Sequence, residues 1–274
     1  MSTSPAHESA NVERFMGFAD VYDSYRPRPP EVVPDILTQL AQAPQPALVV
    51  DLGSGTGLST AIWAGRATEV VGVEPSADMR RQAEARIGVL TDGANVRYRE
   101  GYANATGLPD ACADIVTCSQ SLHWMEPVST LAEIARILRP GGVFAAYDCD
   151  WPPTVNWAIE QAHYAFLGQL RAAEEKYEFS RHVRSWDKQQ HLERMRESGR
   201  FRLTKEILLH HTEQGGAERL VGLELSQGGV ATLLKYGVSE QEIGITALRK
   251  TAQRVLGDAI VPWYFSYRMR VGVI

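Results

Sequence analysis

The stretch Val49-Val50-Asp51-Leu52-Gly53-Ser54-Gly55-Thr56-Gly57-Leu58 decides how this chain is read. Leu48 to Val50 is an apolar run of the kind buried in parallel sheets, so a strand is expected there. It ends in Asp51 and then three glycines at alternate positions. Glycine turns a chain sharply and lets a ligand approach the backbone, because it has no Cβ. A helix is expected to begin near Leu58 and to continue over residues 60–67. Strand, glycine turn and helix start together make a nucleotide-type cradle.

Spacing narrows the nucleotide. The dinucleotide fingerprint G-x-G-x-x-G/A places its third position at Leu58 or Thr60, and neither fits. No G-x-x-x-x-G-K-[ST] occurs, which excludes a P-loop. The spacing present is D-x-G-x-G-x-G. Further along, Glu69-Val70-Val71-Gly72-Val73-Glu74 reads as a strand ending in a carboxylate, which can accept both ribose hydroxyl protons. Gly101-Tyr102-Ala103-Asn104-Ala105-Thr106-Gly107 follows an expected third strand at 96–99. Asp114 to Cys118 is another apolar strand, followed by Ser119-Gln120-Ser121-Leu122-His123-Trp124. Leu138-Arg139-Pro140-Gly141-Gly142-Val143 turns from a helix into a fifth strand.

These five features, in this order over residues 45–148, resemble the class I S-adenosylmethionine (SAM)-dependent methyltransferases. The arm before them is similar to the opening of trans-aconitate methyltransferase-like proteins, in the methyltransferase type 11 group. The resemblance implies an α/β, Rossmann-like fold: a seven-stranded, mostly parallel sheet with its last strand antiparallel, helices on both faces and a helical cap insertion. It implies SAM as cofactor and S-adenosylhomocysteine as product. The cofactor-binding residues would be Asp51, Gly53, Ser54, Gly55, Gly57, Glu74, Pro75, Met79, Ala103, Asn104 and Ser119. Many relatives carry Asp near Asn104; Asn can still bond the adenine amino group through its side-chain oxygen. Tyr25 and Arg26, at the end of a helix striped with Phe15, Phe18 and Tyr22, would form a lid reaching the ligand carboxylate. A plain helix packed by its aromatic face is the competing reading.

Composition sets outer limits. The chain has 274 residues, 44% hydrophobic and 22% charged, with a net charge of -5. That suits a globular protein and argues against a nucleic-acid substrate, which calls for a basic face. Cys112, Cys118 and Cys149 have no zinc-ligand spacing, and an odd count suits a reducing compartment. No run is long enough to cross a membrane and the N-terminus has no signal pattern, so a cytoplasmic enzyme is expected, with a homodimer allowed. The chain divides into an N-terminal arm with lid helices (1–44), a SAM-binding core (45–150), a helical cap (151–200), and the rest of the sheet with further cap helices (201–274). Long helices are expected over 156–177, 218–235 and 239–256, a shorter one over 187–196, and strands over 202–211 and 262–273.

Methyl transfer asks a protein chiefly for alignment and exclusion of water. A base is needed only when the acceptor carries a proton that must leave. His123 stands where the family faces its acceptor, and its titration range suits a general base. A histidine bonded to backbone beside Trp124 is the plain alternative. Trp124, Trp151 and His163 are further candidates for substrate contact; Trp124 reads as a pocket wall. Asp148 and Asp150 could face the pocket from a strand end, while Arg26, Arg181 and Arg184 could hold a carboxylate. His163, His182 and His191 could line the cap or simply pack. His210 and His211 are neighbours on an expected strand and point to opposite faces, and no metal site is expected. Asp150-Trp151-Pro152-Pro153 only superficially resembles the D/N-P-P-Y motif of amino-methylating nucleic-acid enzymes. The expected function is methylation of a small acceptor, first an O-methylation of a carboxylate or hydroxyl. N- or C-methylation, and a SAM-binding sensor or partner subunit without turnover, are the alternatives.

Overall fold

The computed structural model describes residues 23–90, 92–178 and 183–274. Phe15, Phe18, Tyr22, Arg181 and His182 lie outside them. In chain order the elements are α1 (Val32–Leu40), β1 (Leu48–Leu52), β2 (Glu69–Val73), α2 (Ala77–Gly88), β3 (Val96–Arg99), β4 (Ala113–Ser119), α3 (Pro127–Ile137), β5 (Leu138–Cys149), α4 (Trp157–Lys176), α5 (His191–Glu197), β6 (Leu203–Gly215), α6 (Ala217–Leu225), α7 (Gly228–Lys235), α8 (Glu240–Ile243), α9 (Ile245–Leu256) and β7 (Val261–Val273).

Two compact units divide these elements. A core unit holds residues 28–149, 185–209 and 267–274. A helical unit holds the described residues of 1–27 and 150–184, together with 210–266. The sheet has seven strands in the order β3-β2-β1-β4-β5-β7-β6. Neighbours from β3 to β5 are parallel, and β7 runs antiparallel to β5. The order reverses between β1 and β4, so the carboxyl ends of those two strands open a crevice for a ligand. The Rossmann-like architecture expected from the sequence is therefore present.

The core unit is held by apolar strands sandwiched between helices. Val116, Cys118, Phe144 and Ala146 pack with Leu131, Ile134 and Ile137 of α3 and Met195 of α5. Side chains of this size contribute about 1.5–3 kcal/mol each when fully buried. The helices begin where the sequence supplies caps. Ser76 accepts the Met79 N–H at the start of α2, and Glu126 accepts those of Val128 and Ser129 before Pro127 opens α3. In the helical unit Asn156 caps α4 by accepting the Ala158 N–H. Helix α4 buries Ile159, Phe166, Leu170 and Ala173, and α9 packs on both α4 and α6.

Three expected helices are shorter or broken. Residues 60–67 form only a 3-10 turn, Thr60–Trp63, because side-chain bonds hold Ser59 and Thr60 and a left-handed Gly65 (φ +71°) follows. The single helix expected over 218–235 is two, α6 and α7. The Ser226 carbonyl takes the Arg26 guanidinium at 3.0 Å instead of continuing the helical ladder, and Gly228 and Gly229 follow. The helix expected over 239–256 divides into α8 and α9 at Gly244, whose φ is +94°. No helix among the described residues is long and apolar enough to cross a membrane.

Candidate functional site

The glycine loop leaves β1 at the crevice. Asp51, the last residue but one of that strand, is fully buried and faces inward. Its carboxylate accepts the hydroxyls of Thr60 and Thr117, each at 2.7 Å, and of Ser59 at 3.5 Å. Burial pushes its carboxyl up to about 6, against the pull of those three hydroxyls. Asp51 thus ties the residues after the loop to β1 and β4. Ser59 also hydrogen-bonds the buried Tyr147 hydroxyl on β5.

The three glycines do different work. Gly53 is pressed from behind: a Cβ there would lie 2.7 Å from Met125 and 2.8 Å from Ser121. Gly57 lies against Tyr98 and Ala83. Gly55, with φ +55°, faces open space, and a Cβ there would meet nothing within 4 Å. One side of the loop is therefore packed by protein and the other is free for a ligand. Ser54 Oγ and Thr56 Oγ1 are buried and make no hydrogen bond to the described residues.

Glu74, just past β2, faces the same loop. It accepts the Gly55 N–H at 3.0 Å and the Ser76 N–H at 2.9 Å. Burial pushes its carboxyl above the ordinary value, opposed by the Ser76 and Gly55 N–H bonds and by Arg80. Each carboxylate oxygen has a second lone pair to offer a sugar hydroxyl. Pro75 and the buried Met79 follow it into α2. Ala103 is buried, and the Asn104 amide donates to Ser129 Oγ at 3.5 Å. Their loop is pinned by Glu133, which accepts the Thr106 N–H and hydroxyl at 2.9 and 2.6 Å. The Arg136 guanidinium beside Glu133 holds its carboxyl down at about 2.

The segment after β4 carries the remaining core-unit candidates. Ser119 ends β4, and Ser121 donates to the Leu52 carbonyl at 2.8 Å. His123 is half-buried beside Trp124, ring centroids 4.6 Å apart, and its Nδ1 lies 3.7 Å from Asp148 Oδ1. Asp148 is 3% exposed near the end of β5 and also pairs with Lys188 at 3.0 Å and Arg270 at 3.2 Å. Lys188, Gln120 and Arg270 escaped the sequence reading. No local motif marks them, and their partners are far away along the chain.

The other expected residues gather in the helical unit. Tyr25 donates to Glu218 at 3.4 Å and its ring lies against Gly222. Arg26 lies over the Trp151 ring at 5.6 Å, and Trp151 meets Phe265 edge-on at 6.3 Å. His163 is 2% exposed, with Nδ1 2.5 Å from Glu224. The Asp150 N–H donates to the Ser266 carbonyl. His210 lies 3.5 Å from Ser266 Oγ and His211 3.2 Å from Glu213. Among the described residues no group of three or more His, Cys, Asp or Glu could hold a metal.

A reversed strand order, a glycine turn with one open side and an acid after β2 give an α/β protein with a candidate nucleoside cradle. Comparison with known proteins sharpens this. Residues 50–146 match the model of a methyltransferase domain. An uncharacterized methyltransferase-like protein of Schizosaccharomyces pombe is 28% identical over 165 residues, 60% of this chain and 61% of that protein. An uncharacterized methyltransferase of Mycobacterium tuberculosis is 33% identical over 126 residues, 44% of this chain and 46% of that one. The matched part thus spans about half to three-fifths of these relatives' own lengths. The structure of a candidate type II methyltransferase from Anaeromyxobacter dehalogenans superposes with a TM-score of 0.65 at 22% identity, covering 91% of this chain and 98% of that one, a likeness of fold. These matches are all to methyltransferases, the class for which the sequence resemblance implies SAM as cofactor.

The residues present fit that cofactor. The open side of Gly55, the orphaned hydroxyls of Ser54 and Thr56, and the Glu74 carboxylate offer a nucleoside a space, polar partners and a hydroxyl acceptor within one unit.

Proposed function

We propose that this chain transfers a methyl group from SAM to an oxygen of a small acceptor, a carboxylate or a hydroxyl. When bound, SAM supplies an electrophilic methyl on a sulfonium, so the protein's task is to align an acceptor and exclude water. Residues 53–57 and Glu74 would hold the cofactor, with Ala103 and Asn104 at its base. The observation that carries the oxygen reading is the placement of His123 beside Asp148, Nδ1 3.7 Å from Oδ1, at the ends of β4 and β5. A histidine ring placed there would take a proton from an acceptor hydroxyl. A carboxylate acceptor would need no base and would be bound as the anion.

Calorimetric titration of the full chain with SAM, S-adenosylhomocysteine and NADH tests the first half. Micromolar binding of both sulfur ligands and none of NADH is expected. No binding of either sulfur ligand would refute the cofactor assignment. An acceptor screen of carboxylic acids, alcohols and amines with labelled SAM tests the second half, and labelling of amines alone would refute the oxygen reading.

A further inference from the structure

The core unit contains a second polar cluster that the cofactor residues do not use. Asp148 sits at its centre. Lys188 reaches it from the segment before α5, and Arg270 reaches it from β7 while also holding Glu206 at 2.9 Å. His123 approaches from the segment after β4. The segments are joined by backbone as well: the Trp186 N–H donates to the His123 carbonyl at 2.8 Å.

Asp148 Oδ1 pairs with the Lys188 ammonium by charge but makes no hydrogen bond among the described residues, and two donors beside it are open as well. Gln120 accepts the Lys188 ammonium through Oε1 at 3.0 Å, which fixes the amide so that its Nε2 is the other atom. That Nε2 is buried and has no hydrogen-bond partner among the described residues. Gln120 also holds a φ of +54°, which a non-glycine residue rarely adopts and which marks strain worth a functional explanation. His191 gives a second donor. Its Nδ1 lies 3.4 Å from an Arg194 guanidinium nitrogen, which can only donate, so the proton of a neutral ring is on Nε2. The ring is neutral: burial, with Arg270, Arg194 and Lys188 nearby, pushes it down to about 4 despite Asp148. His191 is 2% exposed and its Nε2 has no partner either. A buried donor left unsatisfied costs about 1–3 kcal/mol, so two in one cluster call for an acceptor.

Charge points the same way. Lys188 and Arg270 pair with Asp148, and Arg270 and Arg268 with Glu206, so three cations meet two carboxylates and one positive charge is in excess. The carboxyl of Asp148 is already paired with both Lys188 and Arg270, so a third cation has little to gain here. Lys188 keeps a side-chain exposure of 31%, so a ligand can reach it.

We propose that Gln120, Lys188 and His191, braced by Asp148 and Arg270, form a subsite that binds a carboxylate group of the acceptor, with Lys188 as its charge-bearing residue. The acceptor class is then the carboxylic acids, with the bound carboxylate either the methylated group or an anchor. This rests on the methyl-transfer reading and narrows it.

The test uses the full chain saturated with S-adenosylhomocysteine, with acetate and its neutral isostere acetamide as probes, read by the ring resonances of the histidines in NMR. Acetate should shift the His191 and His123 signals saturably, and acetamide should not. Lys188→Met should weaken acetate about tenfold or more, the loss of one charge-assisted hydrogen bond, and Lys188→Arg should restore most of it. Both variants should still unfold in one cooperative transition, Lys188→Met at a lower temperature than Lys188→Arg because Asp148 loses a cation, and both should bind SAM. Equal shifts with acetamide, no shift with acetate, or a Lys188→Met protein that binds acetate as well as the parent would each overturn the subsite. Failure of the parent to bind SAM would instead overturn the methyl-transfer reading.

Discussion

Gly55 and Gly57 separate the ligand side of the loop from its packed side, and alanine at each should give opposite results. Both residues have left-handed backbones, φ +55° and +80°. An L-residue there costs roughly 1–2 kcal/mol. At Gly55 that is the whole cost to the protein, because the new methyl meets nothing within 4 Å. For a chain of this size the melting temperature should fall by about 2–8 °C. At Gly57 the methyl would strike the Tyr98 hydroxyl and lie 3.1 Å from Ala83 Cβ. Overpacking adds about 1–3 kcal/mol, so Gly57→Ala should lose about 4–20 °C. Ligand affinity should rank the other way. The Gly55 methyl enters the space assigned to SAM, and an overlap of about 1–3 kcal/mol weakens binding by about 5- to 150-fold. Thermal unfolding and calorimetric titration of the two variants, side by side, decide the matter. A Gly55→Ala protein that binds SAM as tightly as the parent would refute the cradle.

His123→Ala should leave SAM affinity nearly intact and lower turnover of a hydroxyl acceptor by about 100- to 10,000-fold, the usual contribution of a general base; a parental rate would remove that role. Acid stability gives an independent check, because His191 and Asp51 work in opposite directions. His191 is held near 4 against an ordinary 6.5, so its stabilisation is complete above pH 6.5 and is lost as the pH falls to 4, about 3 kcal/mol in all. Asp51 is held near 6 against an ordinary 3.8, so its burden is complete above pH 6 and is relieved as the pH falls to 3.8, again about 3 kcal/mol. The parent should therefore show a nearly flat contribution from this pair between pH 4 and 6. His191→Gln, measured by denaturant unfolding, should become more stable on acidification over that window; an unchanged pH profile would contradict the burial of a neutral ring.

What the sequence disclosed follows from how local each signal is. The loop and the strand before it lie within ten consecutive residues, and Glu74 ends a run whose periodicity marks its own strand. The helix breaks were hidden for the opposite reason. Residues 218–235 carry no proline, and the break at Ser226 joins the local pair Gly228-Gly229 to Arg26, 200 positions away. Lys188 and Gln120 were hidden in the same way: each is a polar residue in a polar stretch until the fold puts them 3.0 Å apart across 68 positions.

Strand β5 explains how one crevice can serve two tasks. Successive residues of a strand point to opposite faces of the sheet. Tyr147 therefore points to the face where Ser59 and the Asp51 network shape the glycine loop, while Asp148 points to the face of Lys188 and Arg270. Both sit next to the end of β4, where Ser119 pairs with Tyr147 and Gln120 donates to its carbonyl at 3.0 Å. A single two-residue step on β5 thus places the groups that shape the cofactor loop and the proposed acceptor subsite on either side of the same strand. A register slip of one residue would exchange the two faces. The left-handed turn at Gln120, held by that carbonyl, fixes how the chain leaves β4 beside this step.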